Sequence, residues 1–336
     1  CGLRPGDVIL ALNGEDVTAA PWARVDALLD ERPLSLRVRR ASAASAAEER
    51  AAFVVRTCRP SDAMVRRMLQ WAQELGPEVD FFVSVDETME QARATAPLIE
   101  AACSMLGLED GRVRIHRYTE AELVEEYPVL TELREKLPNG PADIPGKSGL
   151  RSMAWMFHSE PMCHWLRSLP NKELYSFVWV LEDDVGYSGE MGALLEAYAA
   201  DPADLISGRW IARPVPREPP QGPKFTNGWY WYYDTTAAFD KRVPPESRLI
   251  TEEHVQRISR RLLEEVDRWC RVEGASACSE QLVPTVALNS GMSFRPLCPD
   301  HIGEPYHYEA KVEEEDWRRI VQAQEKPGRL YHALKF

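Results

Sequence analysis

The run Phe177-Val178-Trp179-Val180-Leu181 carries no polar side chain and stops abruptly at Glu182-Asp183-Asp184. A strand this apolar has to be covered on both faces, which places it at the centre of a sheet with helices on either side. In extended chain successive side chains turn to opposite faces, so Glu182 and Asp184 are expected on one side and Asp183 on the other. Two carboxylates at the open end of a buried strand make a hard-oxygen site suited to Mg2+ or Mn2+. The plainer reading of any acidic triplet is a solvated loop start or a cap on the next segment. Here the unbroken apolar approach favours the ligand reading.

The rest of the chain supplies the sheet that such a strand needs. Phe53-Val54-Val55 reads as a strand, and Asp62 is placed to cap a helix carrying Met64, Met68, Leu69 and Trp71. Val79 to Val85 reads as a second strand, followed by a helix over 90–106 and a short strand from Val113 to His116. A Pro/Gly-rich stretch (138–149) leads into a long helix, about 150–168, and then the strand Ser176 to Leu181. This alternation predicts an α/β sandwich with a mostly parallel sheet. Ligands of such sheets gather at the carboxyl ends of the strands. Further on, 252–269 has Val255, Ile258, Leu262, Leu263 and Val266 at helical spacing, and Ser279 is placed to cap a short helix.

Composition narrows the class. A length of 336 residues suits one large domain with an accessory piece, and 44% hydrophobic residues are ample for a core. A formal charge of −13 argues against nucleic acid as a partner, since phosphate backbones attract basic surfaces. No stretch reaches the ~18 uninterrupted apolar residues of a spanning helix, so membrane association is not visible in this chain. The seven cysteines include no C-x-x-C pair, which excludes a zinc-finger reading. Cys270, Cys278 and Cys298 are equally compatible with a lumenal disulfide or with buried thiols. Compartment stays open: the Golgi or endoplasmic-reticulum lumen for a eukaryotic chain, the cytoplasm otherwise.

Residues 1–40 form a separate unit. Asp7 to Leu12 reads as a strand ended by the hairpin turn Asn13-Gly14; Trp22, Val25, Leu28 and Leu29 follow at helical spacing, and Leu34, Leu36 and Val38 alternate as a half-buried strand. The segment Gly2-Leu3-Arg4-Pro5-Gly6-Asp7-Val8-Ile9-Leu10-Ala11-Leu12-Asn13-Gly14 resembles the C-terminal half of a PDZ domain. The carboxylate-binding loop and the strand that pairs with ligands lie outside this half, which argues against peptide binding by it. An Ala/Ser-rich linker (41–52) follows.

Val178-Trp179-Val180-Leu181-Glu182-Asp183-Asp184-Val185-Gly186-Tyr187-Ser188-Gly189 looks like the metal-binding D-x-D segment of GT-A-fold glycosyltransferases, with Glu in the first position. The resemblance spans 53–336, with a nucleotide-binding half (53–189) and an acceptor half (190–336). It implies a metal-dependent transferase moving a sugar from a nucleotide-diphosphate donor, UDP-linked by preference, to a glycan, protein or small-molecule acceptor. By the same resemblance Thr57, Arg59 and Asp86 stand where base and ribose are contacted. Lys147, Arg151 and Glu182 follow as nucleotide or diphosphate contacts, and Asp184, Glu182 and a C-terminal His hold Mn2+ or Mg2+. His332, followed by Lys335, fits that His better than His307 does.

Gly140 to Ser148 does not make a phosphate loop, because its spacing is wrong and no strand precedes it. Trp229, Trp231 and Tyr233 belong to five consecutive aromatics that cannot all face one core, and they are candidates for acceptor contact. Glu280 is the first choice for the base that takes the acceptor proton, and Asp234 the second. Two other readings compete: a PDZ-linked scaffold with an inactive transferase-like domain, and a metal-dependent phosphohydrolase. The second needs several separated ligand groups for two metals.

Overall fold

The computed structural model describes residues 8–13, 15–16, 36–39, 50–136, 157–214, 234–306, 311–323 and 328–336. The chain divides into two compact units, Cys1–Glu48 and Glu49–Phe336. In the first, β1 (Val8–Leu12) pairs antiparallel with β2 (Glu15–Asp16) and with β3 (Leu36–Arg39). Leu12 faces Glu15 across a two-residue turn, and Asn13 takes a φ of 49°, the left-handed conformation such a hairpin demands.

The second unit is built on a seven-stranded sheet. Its parallel half consists of β4 (Arg50–Thr57), β5 (Val79–Asp86), β6 (Val113–Tyr118) and β7 (Tyr175–Glu182). After the short β8 (Gly186–Tyr187) come β9 (Leu205–Ser207), β10 (Ile211–Ala212), β11 (Ile250–Thr251), β12 (Val255–Ser259) and β13 (Phe294–Arg295). The order across the sheet is β13-β9-β12-β7-β4-β5-β6, and β12 alone runs against its neighbours. The expected mixed α/β architecture with a mostly parallel sheet is therefore what the chain adopts.

Alternation assigns the two faces. Ala52, Val54, Phe82, Val178 and Val180 point to one core, covered by the helices Ser159–Ser168, Arg260–Asp267 and Ser279–Asn289. Phe53, Val55, Phe81, Val83, Trp179 and Leu181 point to the other, under the helices Asp62–Glu74, Thr95–Met105 and Met191–Ala199. The central strand β7 is apolar from Phe177 to Leu181 because both faces are covered there.

Three local expectations are corrected. Ser61, not Asp62, caps the first helix, its hydroxyl accepting from the Met64 N–H. Cys278, not Ser279, is the N-cap residue of the last core helix. The helix expected over 252–269 is a strand, β12, that runs into a helix starting only at Arg260. Every residue of β12 is buried, so Val255 and Ile258 serve opposite faces of a sheet, and their helical spacing is incidental.

One buried carboxylate bolts the far edge of the sheet. Asp204, just before β9, accepts from the Arg261 guanidinium, the Ser259 hydroxyl and the Ser293 N–H. Burial alone would raise its pKa, but Arg261 and these donors bring it down to about 2 from 3.8. A folded value below the unfolded one stabilises above about pH 4 and is lost as pH falls toward 2. The contribution is of the order of 1–2 kcal/mol. Urea midpoints of Asp204→Asn at pH 7 and pH 3 should differ less than those of the unaltered chain; an unchanged difference would contradict this role.

Candidate functional site

The parallel strands β4, β5 and β7 end side by side, and the chain's acids collect there. Glu182 closes β7, opposite Arg56 of β4. The chain then turns at Asp183 and Asp184. This turn, rather than strand alternation, decides where the three acids point.

Glu182 and Asp184 converge on His332, which ends β15 (Leu330–His332). That strand lies between β8 and β14 (Ile302–Tyr306) in a small three-stranded sheet. The Leu334 N–H donates to the Asp184 carbonyl at 2.7 Å, which fastens this segment to the acidic turn. His332 Nε2 stands 3.1 Å from Glu182 Oε2 and 3.2 Å from Asp184 Oδ1. A further ligand-type group joins them from β12's approach: His254 Nδ1 lies 2.8 Å from the same Glu182 oxygen. Its ring stacks on His332 with centroids 3.6 Å apart. Glu182, His254 and His332 each offer a ligand atom within 4.8 Å of the others. His254 goes unread in the sequence because it falls in a segment with helical spacing and no local signal marks it.

Asp183 turns away to β4, where it accepts from the Thr57 hydroxyl, while its own carbonyl accepts from Arg67 at 2.7 Å. Burial and the neighbouring Asp184 push the Asp183 carboxyl up to about 7. Thr57 is thus engaged within the protein. Asp86 ends β5, buried, with one oxygen accepting from the Thr88 N–H at 2.9 Å. Cys58 is exposed as a residue; desolvation of its thiol is the largest effect raising the pKa, Asp183 and Asp86 add to it, and Arg59 opposes them. Thr57, Arg59, Asp86 and Asp183 therefore share one end of the sheet with Glu182.

Lys335 Nζ is 3.6 Å from Asp184 Oδ2 and half-exposed at the rim. Glu280 sits in the first turn of the helix Ser279–Asn289, and with Glu253 and Asp234 it raises the pKa of the buried Cys278 thiol, behind the larger effect of burial. The two candidate bases are therefore neighbours. Lys147, Arg151, Trp229, Trp231, Tyr233 and His307 lie outside the described residues. Cys270 and Cys278 are buried free thiols and Cys298 is free and half-buried.

Burial opposes charge on His332, but hydrogen bonds to Asp184 and Glu182 raise its pKa to about 9. Glu182 is held well below the carboxylate range: burial opposes this, and His254 and His332 outweigh it. Near neutral pH the imidazolium of His332 thus occupies the place a cation would take, and binding a divalent ion must expel its proton. The affinity of these groups for a divalent cation would then tighten about tenfold per pH unit up to about pH 9. Calorimetric titrations with Mn2+ at pH 6.5 and 7.5 check this; equal affinities would show that no proton leaves His332.

No protein-family model matches the chain, and no curated protein matches it. Among solved structures, 4-diphosphocytidyl-2C-methyl-D-erythritol synthase from Anaerococcus prevotii is similar at 8% identity, covering 82% of this chain and 96% of that one, with a TM-score of 0.41. Mouse xyloside xylosyltransferase 1 in its apo form is similar at 13% identity, covering 84% of this chain and 97% of that one, with a TM-score of 0.36. With both scores below one half, the chemistry of the site has to come from its own residues.

Proposed function

We propose that this chain is a metal-dependent glycosyltransferase that moves a sugar from a nucleotide-diphosphate donor, UDP-linked by preference, to an acceptor hydroxyl. The observation that supports it is the convergence of Glu182, Asp184, His254 and His332 at the carboxyl end of a central parallel strand, where α/β sheets bind ligands. Two carboxylates and two imidazoles form a mixed oxygen and nitrogen set. That set suits Mn2+ better than Mg2+, which prefers oxygen alone. A divalent ion bound there supplies neutralisation of the diphosphate as it leaves.

In this reading Glu182, Asp184 and His332 hold the ion, with His254 beside them. Lys335 at the rim pairs with a phosphate oxygen. Asp86 and Arg59 receive the nucleoside, and Lys147 and Arg151 its diphosphate. Thr57 orients the acidic turn through Asp183. Glu280, with Asp234 as the reserve, takes the acceptor's proton. Trp229, Trp231 and Tyr233 offer ring faces to the acceptor.

The test is binding of UDP by the full chain with and without Mn2+. Calorimetry should show UDP binding that is at least about tenfold tighter with the ion. UDP that fails to bind, or binds equally in EDTA, would refute the transferase reading.

A further inference from the structure

Four ligand-type atoms converge at the acidic turn, and each side chain offers only one. Glu182 turns Oε1 to the Arg56 guanidinium at 3.3 Å, which leaves Oε2 for the imidazoles. Asp184 divides its oxygens in the same way: Oδ2 faces Lys335 Nζ at 3.6 Å and Oδ1 faces His332 Nε2 at 3.2 Å. The other two atoms are nitrogens. His254 Nδ1 and His332 Nε2 reach the same Glu182 oxygen, at 2.8 and 3.1 Å, from rings stacked at an interplanar angle of 16°. The two imidazole side chains are 8% and 4% exposed, whereas Glu182 keeps 23% and Asp184 14%. A cation can therefore enter past the carboxylates.

Donor type and donor count choose among ions. Mg2+ takes oxygen ligands in near-octahedral coordination and keeps several waters, so two imidazoles suit it poorly. Mn2+ stands lowest among the divalent first-row ions in affinity for nitrogen and oxygen donors, and it too favours oxygen. Zn2+ accepts imidazole nitrogen and carboxylate oxygen alike and is satisfied by four ligands. Four donors around such an ion stand about 3.3 Å apart. The separations of 2.8, 3.1 and 3.2 Å therefore call for shifts of only a few tenths of an ångström. Without His254 the set falls to two oxygens and one nitrogen, which leaves a position open.

We propose that His254 is a full ligand at this site, and that Glu182, Asp184, His254 and His332 form a four-coordinate centre that selects Zn2+ over Mn2+ and Mg2+. The proposal rests on the part of the reading above in which these groups hold an ion; transfer of a sugar is not assumed. On the transferase reading Zn2+ is then a competitor of the working ion, because four side chains leave it no position for a diphosphate.

The test uses the full chain without donor. Zn2+ should bind at least about a hundredfold more tightly than Mn2+, read by electron paramagnetic resonance of the Mn2+ it releases. One equivalent of Co2+, a coloured stand-in for Zn2+, should give the strong visible absorption of a four-coordinate ion. His254→Gln should loosen Zn2+ about a hundredfold and Mn2+ less than about tenfold, and reduce the Co2+ absorption to the weak bands of a six-coordinate ion. His254→Cys restores a zinc donor and should recover Zn2+ affinity, which separates loss of a ligand from loss of folding. Weak, six-coordinate absorption by the unaltered chain, or a Zn2+ affinity indifferent to His254→Gln, overturns the centre. Metal-dependent UDP binding stands in that case. Four-coordinate Co2+ in a chain that binds no UDP with Mn2+ keeps the centre and removes the transferase reading.

Discussion

Asp184→Ala is expected to weaken Mn2+ binding at least about a hundredfold and to lower sugar transfer in proportion. Its Oδ1 and a Glu182 oxygen both reach His332 Nε2, so the substitution deletes one of the converging oxygens without emptying the core. Glu182→Gln should have an effect of the same size. It takes the carboxylate from two stacked imidazoles at once, and it leaves His332 with less reason to be charged. Asp183→Asn is the control. Asp183 is engaged with Thr57 and Arg67, so its replacement should change Mn2+ affinity by less than about threefold. Electron paramagnetic resonance of free Mn2+ reads all three directly. A hundredfold loss in Asp183→Asn together with a mild one in Asp184→Ala would reverse the roles assigned to the acids.

Glu280→Gln should lower kcat for transfer by about 10²- to 10⁴-fold while UDP and Mn2+ affinities stay unchanged, since an amide cannot take the acceptor's proton. Asp234→Asn should be much milder if Glu280 is the base, and the more damaging of the two if the roles are exchanged. Both carboxylates bear on Cys278, so each variant also needs its Tm measured to separate chemistry from packing. Transfer unaffected by either change would remove both residues from the catalytic step.

The acidic turn shows how much of the site is legible in the sequence. The apolar run before Glu182 predicts a central strand, and the sheet order places β7 between β12 and β4. Alternation also sends Glu182 and Asp184 one way and Asp183 the other. The outcome agrees, but the strand ends at Glu182, and a turn produces the arrangement. Extended-chain reasoning reaches only as far as the strand does.

His254 is beyond that reasoning. Its partner lies 72 residues away, and nothing local distinguishes a histidine of β12's approach from one on a helix face. Spacing at 255, 258, 262 and 263 fits a helix as well as a doubly buried strand running into one. Gln256, Arg257 and Ser259 are polar yet buried, so polarity in this segment does not mark the solvent side that would separate the two. Tertiary pairing settles it, with β12 set between β7 and β9. The hold of Arg56 and Lys335 on the outer oxygens of Glu182 and Asp184 is invisible in a sequence for a related reason: charge can be read from residues, pairing cannot.

The fastening of β15 to the acidic turn bears on the order in which the protein matures. Glu182 ends one strand of the main sheet and His254 immediately precedes its neighbour β12, whereas His332 arrives from a strand that pairs, among the described residues, with β8 and β14. During synthesis the sheet can assemble around Glu182 well before residue 332 leaves the ribosome. Closing the loop of about 150 residues between the acidic turn and His332 carries the larger entropic cost, so completion of the Glu182, His254 and His332 cluster belongs to a late stage of folding. On the metal-dependent reading proposed above, a nascent chain would meet an ion only once the main sheet is in place.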